Sequence, residues 1–252
     1  MKVRFVRLLS DARDELREGH SPSLDAIRSV RERHGERIAA VDPGTGQPLG
    51  WIGVFPGRDE GGHFYHLAGI EVPPENRGQG IEAALLEEAS RLMAARKVTR
   101  LKLGTSPLIT ANADLYITRF GARYRWRPGV RTADGAPWPS VTCECDFDDP
   151  LARPLDLRDD EVLSRSVLGW EGRTPVPRPR VVYSGPLAVV LPDLNAEMLA
   201  GAGREFLSSL YGVFHGLHMH GYGFAWFDRL PASLAPSGEP VFYYVMNRVL
   251  GL

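Results

Sequence analysis

Apolar positions along the chain switch between a period of two and a period near 3.6, and each switch marks an expected element. Val3 to Leu8 alternates well enough for a short opening strand. Ser21-Pro22 offers an N-cap with proline at the first helical position, and Leu24, Ile27 and Val30 follow at helical spacing. Arg37 to Val41 and Leu49 to Phe55 are apolar runs on either side of Asp42-Pro43-Gly44-Thr45-Gly46, the pattern of a hairpin. A third run, His63 to Val72, follows Gly61-Gly62 and is stopped by Pro73-Pro74. The clearest helix is Ile81 to Arg96. Ile81, Ala84, Leu85, Ala89, Leu92 and Met93 form its apolar face, with Glu82, Glu87, Glu88, Arg91 and Arg96 opposite. Val98 to Leu103 reads as a strand, Ile109 to Phe120 as a helix closed by Gly121, and Ala122 to Arg127 and Val141 to Phe147 as two more strands.

Beyond residue 147 the pattern loosens. Residues 148–180 are richer in proline and charge and read as a linker with a short helix over Asp159 to Leu168. Val181 to Leu191 is a strand, with Gly185-Pro186 as a point of breakage. Leu194 to Leu217 repeats apolar residues at helical spacing, and Phe224 to Leu230 with Val241 to Val249 make an antiparallel pair. The expected class is mixed α/β with a mostly antiparallel sheet: a first block over 1–147, the linker over 148–180, and a βαββ appendage over 181–252.

Composition narrows the classes. A chain of 252 residues suits one large domain or two small ones. Lys plus Arg number 30 against 31 Asp plus Glu, a net charge of −1, which gives no global pull toward nucleic acid or a membrane surface. No apolar run approaches the ~20 residues of a bilayer span and the first ten residues lack a signal-peptide core, so a cytoplasmic protein is expected. Arginine outnumbers lysine heavily, the lysines being Lys2, Lys97 and Lys102; this fits a compositional bias of the genome, although arginine also suits carboxylate and phosphate contacts. The two cysteines, Cys143 and Cys145, fall two apart on one expected strand, a geometry that rarely suits a disulfide, so a disulfide scaffold and a zinc ribbon are excluded.

Chemistry concentrates between the third apolar run and the clearest helix, at Val72-Pro73-Pro74-Glu75-Asn76-Arg77-Gly78-Gln79-Gly80-Ile81. Glycines there let the backbone approach a ligand, and a helix start presents unpaired N–H groups at the positive end of its dipole. That combination cradles a pyrophosphate, or serves simply as a tight strand-to-helix turn. It is not a Walker loop, and the dinucleotide fingerprint is missing.

Strand, glycine turn and amphipathic helix together resemble motif A of the GNAT superfamily of acyl-CoA-dependent N-acyltransferases. The family's Arg/Gln-x-x-Gly-x-Gly/Ala maps onto Arg77, Gly80 and Glu82, matching at the first two and not at the last. Asn112 to Ala122, with Leu115-Tyr116 and Phe120-Gly121, looks like the family's second signature. Pro107-Leu108, Asn112-Ala113, Phe120-Gly121-Ala122, Ala202 to Phe206 and Gly221 to Phe224 are similar to predicted bacterial acetyltransferases that carry a C-terminal extension of this size.

The resemblance implies transfer of an acyl group, acetyl in the first instance, from acetyl-CoA to an amine by direct attack on the thioester. It places the diphosphate on Arg77, Gly78, Gly80 and Ile81, the pantetheine along the backbone of Ile70 and Val72 where the strand splays from its neighbour, and Asn112 on the pantetheine or at a turn. Tyr116 falls on the family tyrosine that protonates the leaving thiolate; its other reading is a ring packed under the cofactor. Counting six positions back from Val72 reaches His66, which some family members use as general base and which otherwise is a histidine in the aromatic stretch Phe64-Tyr65-His66. Glu71 ranks below it, facing away from Ile70 and Val72. Glu82 is the departure: pointing outward it is harmless, and pointing inward it repels the diphosphate. The alternative function is a catalytically silent GNAT-fold module that binds acyl-CoA or regulates.

Two further stretches stay ambiguous. His215, His218 and His220 invite a metal reading, yet no acidic or cysteine partner sits at ligand spacing, so a polar helix end is preferred and no metal is expected. Gly221 to Phe227 with Phe242-Tyr243-Tyr244 lines an acceptor pocket or forms core. The expected partner is a small-molecule or peptide amine, with no nucleic acid and no membrane. The C-terminal segment completes the sheet, covers the acceptor side or mediates a homodimer.

Overall fold

The computed structural model describes residues 3–8, 35–152, 159–171, 174–235 and 240–249. The helix expected after Ser21-Pro22 lies outside these residues. Packing divides the chain into two compact units, residues 1–103 with 146–148, and residues 104–145 with 149–252. This is a partition by contact rather than by the sequence blocks read above.

The first unit is built on strands β1 (Arg4–Leu8), β2 (Glu36–Val41), β3 (Pro48–Asp59), β4 (Gly62–Glu71) and β5 (Arg100–Thr105), neighbours in that order. The ladders from β1 to β4 are antiparallel, and β4 to β5 is parallel. Parallel neighbours need a crossover, and α1 (Ile81–Ala94) supplies it. The β2–β3 turn is set by Asp42, whose carboxylate accepts from the backbone N–H of Gly44 (2.9 Å) and Thr45 (2.7 Å). At the far end of β3, Asp59 receives both terminal nitrogens of Arg100 (3.0 and 3.1 Å) and the ammonium of Lys102, which hold its carboxyl well below the usual range.

The second unit opens with α2 (Thr110–Ala113), which runs straight into a π-helical turn over Asp114–Arg119. One helix was expected there; the widened turn is a local departure of the kind often found at functional sites. The strands β6 (Arg123–Trp126) and β7 (Val141–Asp146) pair antiparallel. Cys143 and Cys145 on β7 are buried free thiols, and burial pushes the Cys143 thiol up.

The region expected as a linker carries α3 (Asp159–Arg165) and then a hairpin, β8 (Leu168–Glu171) with β9 (Thr174–Pro177). The sequence hid this hairpin because prolines at 175 and 177 read as strand breakers, whereas a two-stranded edge tolerates them. The strand β10 (Leu187–Pro192) begins only after Gly185-Pro186, so residues 181–186 are not strand. The long helix expected over 194–217 is two, α4 (Ala196–Ala200) and α5 (Arg204–Met219), parted at Gly201 and Gly203, where the cost of ordering glycine outweighs the continuing apolar period. The strands β11 (Tyr222–Arg229) and β12 (Val241–Arg248) pair antiparallel, and β10 pairs with the other side of β12. Tyr244 packs on Phe224 and on Phe227, with centroids 5.1 and 4.8 Å apart, and Phe227 and Tyr244 are fully buried while Phe224 and Phe242 are half-buried. No helix among the described residues is long and apolar enough to cross a membrane.

Candidate functional site

Pro73-Pro74 ends the strand, and Pro74–Asn76 make a single 3-10 turn closed by Asn76 N–H to Pro73 O (2.9 Å). The turn is braced by side chains: Arg77 Nε donates to Val72 O (3.1 Å) and Gln79 Nε2 to Glu75 O (3.1 Å). Gly78 and Gly80 take φ of +72° and +79°, left-handed conformations that cost a side chain ~1–2 kcal/mol, and a Cβ on either would meet nothing within 4 Å. Gly80 is the N-cap of α1 and offers no side-chain acceptor, so the first bond of the helix is Ala84 N–H to Gly80 O (3.0 Å). The N–H groups of Gly78 to Ala83 therefore have no acceptor among the described residues. They line an exposed concave turn at the positive end of a 14-residue helix. Such a turn fits an anionic diphosphate.

The strand before it is irregular in two ways. Parallel pairing of β4 with β5 is confined to Tyr65–Leu101 and His66–Lys102, so Leu67 to Glu71 keep a free edge on that side among the described residues. On the other side, the register with β3 passes from Ile70–Ile52 and Gly69–Gly53 to Leu67–Val54, leaving Ala68 as the extra residue of a bulge. Directly paired residues share a face. Tyr65, Leu67 and Ile70 thus lie with Ile52 and Val54 on one face, while His66, Gly69 and Glu71 lie with Phe55, Gly53 and Trp51 on the other.

That bulge changes the standing of His66. Counting without it puts His66 on the same face as Val72, whereas the bulge turns His66 to the opposite face. Its half-buried ring leans on Phe55, centroids 4.8 Å apart. Glu71 faces away from Ile70, as expected. Its Oε2 accepts from Trp51 Nε1 at 3.2 Å. Trp51 carried no signal in the sequence, since only the register brings it beside Glu71.

Glu82 falls on the inward side of α1. The buried positions of the helix are Ile81, Ala83, Leu85, Leu86, Ala89, Leu92 and Met93, so the stripe 82, 85, 86, 89, 93 has Glu82 as its first member. The outward placement read from the sequence is corrected: the apolar face is centred nearer Leu86 than Ala84. Glu82 is half-buried in the first turn, beside the bare N–H groups.

In the second unit, Asn112 Nδ2 donates to Thr105 Oγ1 (3.0 Å), tying α2 to the end of β5. Tyr116 sits on the π-helical turn with only 2 % of its surface exposed, and its carbonyl accepts from Ala122 N–H (2.8 Å). The histidines of α5 and the residue after it stack on rings, His215 on Tyr211 and His220 on Tyr183. Among the described residues no group of three or more His, Cys, Asp or Glu is arranged to hold a metal ion.

Residues 5–122 match the model of the acetyltransferase (GNAT) family. This segment is a GNAT acetyltransferase domain. The matched span contains the glycine turn, the bulged β4 and both signatures read from the sequence, and the mixed α/β architecture with its mostly antiparallel sheet is the GNAT fold. Solved structures similar to the chain include an IAA acetyltransferase from Bacillus cereus, 18% identical over 57% of this chain and 99% of that one, with a TM-score of 0.44. A GNAT family acetyltransferase from Elizabethkingia anophelis with acetyl-CoA bound is 16% identical over 57% and 97%, TM-score 0.43. The ribosomal-protein-S18-alanine N-acetyltransferase from Escherichia coli is 18% identical over 62% and 99%, TM-score 0.43. No curated protein matches the chain. The match ends near the close of the π-helical turn, well before the strands β10, β11 and β12.

Proposed function

We propose that the chain is an acetyl-CoA-dependent N-acetyltransferase acting on an amine. The observation that carries this reading is the left-handed Gly78–Gly80 turn with its bare N–H groups, standing next to the free edge of β4. Backbone N–H groups of Gly78, Gly80 and Ile81 take the diphosphate, with Arg77 bracing the turn and offering its remaining guanidinium donors. The backbone of Ile70 and Val72 takes the pantetheine arm, and Asn112 orders the segment that follows β5.

The chemistry follows from the groups available. His66 accepts one proton from the acceptor ammonium. The amine lone pair then forms the C–N bond to the thioester carbonyl carbon, and the C–S bond breaks with its electron pair staying on sulfur. Tyr116 gives its phenolic proton to that sulfur and recovers a proton from the new amide nitrogen. Amide and free CoA thiol result, with one proton released from His66 to solvent. Residues 1–147 serve as the catalytic core, 148–180 as a connection and 181–252 as an extension, and we place the protein in the cytoplasm.

A second reading is a GNAT-fold module that binds acyl-CoA and does not turn it over. Glu82 motivates it, since a carboxylate on the inward stripe of α1 opposes a diphosphate on the same turn. Calorimetric titration of acetyl-CoA, followed by thiol release across an amine panel, tests both. Binding with release supports the transferase, binding without release leaves the module, and absence of binding at millimolar acetyl-CoA refutes both.

A further inference from the structure

The second unit holds a cavity of about 340 Å³ that the transferase reading does not use. One wall is a side of α5 made by Ser208, Ser209, Gly212, Val213 and Gly216, positions four apart that fall on one helix face. The rest comes from Val167, just ahead of β8, from the segment 177–183 that leaves β9, and from Leu217. All of it lies beyond residues 5–122 of the family match.

Two glycines keep this space open. Gly212 and Gly216 stand inside α5, where glycine lowers helix stability relative to alanine. Packing within the protein does not require them, because a Cβ on either would meet nothing within 4 Å. Their bare Cα atoms therefore widen the cavity at two successive turns.

The polarity of the lining selects an occupant. Val167 and Leu217 are buried at the bottom, Ser208 and Ser209 are half-buried, and Arg178 stands at the exposed rim. Arg178 is the only charged side chain among the described residues that line the cavity. It is held in place, its backbone N–H donating to Val167 O (3.0 Å) and its Nη2 to Leu163 O (3.0 Å) at α3. A guanidinium carries five N–H donors, so this one bond leaves others for an anion. One cation balances one negative charge, and a dianion would bring a second charge against apolar walls. A planar carboxylate matches the guanidinium fork. The volume is at the small end of ligand sites.

We propose that this cavity binds a small organic acid, a single carboxylate on a compact apolar body. The carboxylate pairs with Arg178 and accepts from the serine hydroxyls. The apolar body rests on Val167, Val213 and Leu217, with its edge over Gly212 and Gly216. The site stands independently of acetyl transfer.

The test titrates benzoate and its neutral counterpart benzamide into the whole chain. Binding is followed by the amide signals of Gly212 and Gly216 in N–H correlation spectra, with thermal melts of each protein. Both probes should shift both signals, and benzoate should bind about tenfold tighter, the scale of one hydrogen bond to a charged group. Arg178→Gln should erase that preference and leave benzamide affinity unchanged. Gly212→Ala and Gly216→Ala should each weaken both probes by about fivefold, as a methyl group enters the occupied space. The same two variants should melt higher by roughly 2–4 °C, since alanine is the better helix former. That opposition of tighter folding and weaker binding is one that a merely structural role would not produce. Should Arg178→Gln fail to fold, the benzoate preference of the wild type and the two glycine variants still decide. Glycine signals unmoved by benzoate, equal binding of the two probes, or unchanged affinity in the alanine variants overturns the site. Sulfate competing as well as benzoate overturns the carboxylate assignment.

Discussion

Replacing Glu82 by glutamine removes one negative charge from the second residue of α1 and keeps the side chain's length. Two unit charges about 8 Å apart repel by ~2 kcal/mol at an effective dielectric near 20. A diphosphate on the N–H groups of Gly78 to Ile81 brings about two negative charges, and a Debye length of ~8 Å at physiological salt screens the sum to between one and two kcal/mol, roughly. Glu82→Gln should thus tighten acetyl-CoA by about tenfold near physiological salt, ~1.4 kcal/mol. The gain should grow toward about 10 mM salt, where the Debye length is ~30 Å, and vanish near 1 M, where it is ~3 Å. The same substitution removes a favourable charge from the helix start, so the free protein should lose about 0.3–1 kcal/mol of stability. Calorimetry of acetyl-CoA at the three salt concentrations, with thermal melts of both proteins, reads all of this. Equal affinity of wild type and variant at low salt would show that no diphosphate approaches the inward face of α1, and the cradle would have to be abandoned.

Gly80→Ala should cost about 1–2 kcal/mol of stability from its left-handed φ alone, because its surroundings leave a Cβ unopposed, and should weaken acetyl-CoA binding; melts and calorimetry check the pair. Tyr116→Phe should lower the turnover rate by about a hundredfold, the lower end of general acid catalysis, and leave acetyl-CoA affinity unchanged; equal rates would return Tyr116 to a packing role. Asp59 is held below the usual carboxylate range by Arg100 and Lys102. Its contribution to stability is therefore complete above the unfolded value of about 4 and is lost as pH falls below it toward the folded value. Asp59→Asn should flatten the acid side of the stability profile, measured by denaturant midpoints between about pH 5 and pH 2. A thiol reagent should leave Cys143 unmodified in the folded chain and react once denaturant is added, since burial holds the thiol protonated.

The elements legible in the sequence are those whose own period decides them. The hairpin around Asp42 to Gly46, the strand ended by Pro73-Pro74 and the helix begun at Ile81 stand within a residue or two of their expected places, except that β3 runs four residues past Phe55 to Asp59, because turn chemistry and a one-sided apolar stripe are local signals. Local signals failed where a weak glycine or proline effect had to be weighed against tertiary pairing. Gly201 and Gly203 broke a helix whose apolar period continues, and Pro175 and Pro177 did not prevent β9.

The site divides in the same way. The glycine turn is a sequence of residues that each act on their own backbone, so Gly78 and Gly80 could be read directly as places where the backbone can approach a ligand, and both take left-handed φ. Which residues face one another across β3 and β4 depends instead on a single extra residue, and no composition rule marks Ala68 as that residue. A shift of one position turns every following side chain to the other face, so the bulge both moves His66 away from Val72's side and sets Glu71 beside Trp51. The contact between Glu71 and Trp51 could therefore not be found by counting along β4. It becomes visible only when β3 is laid against β4, where the Glu71 carboxylate accepts the indole N–H of Trp51.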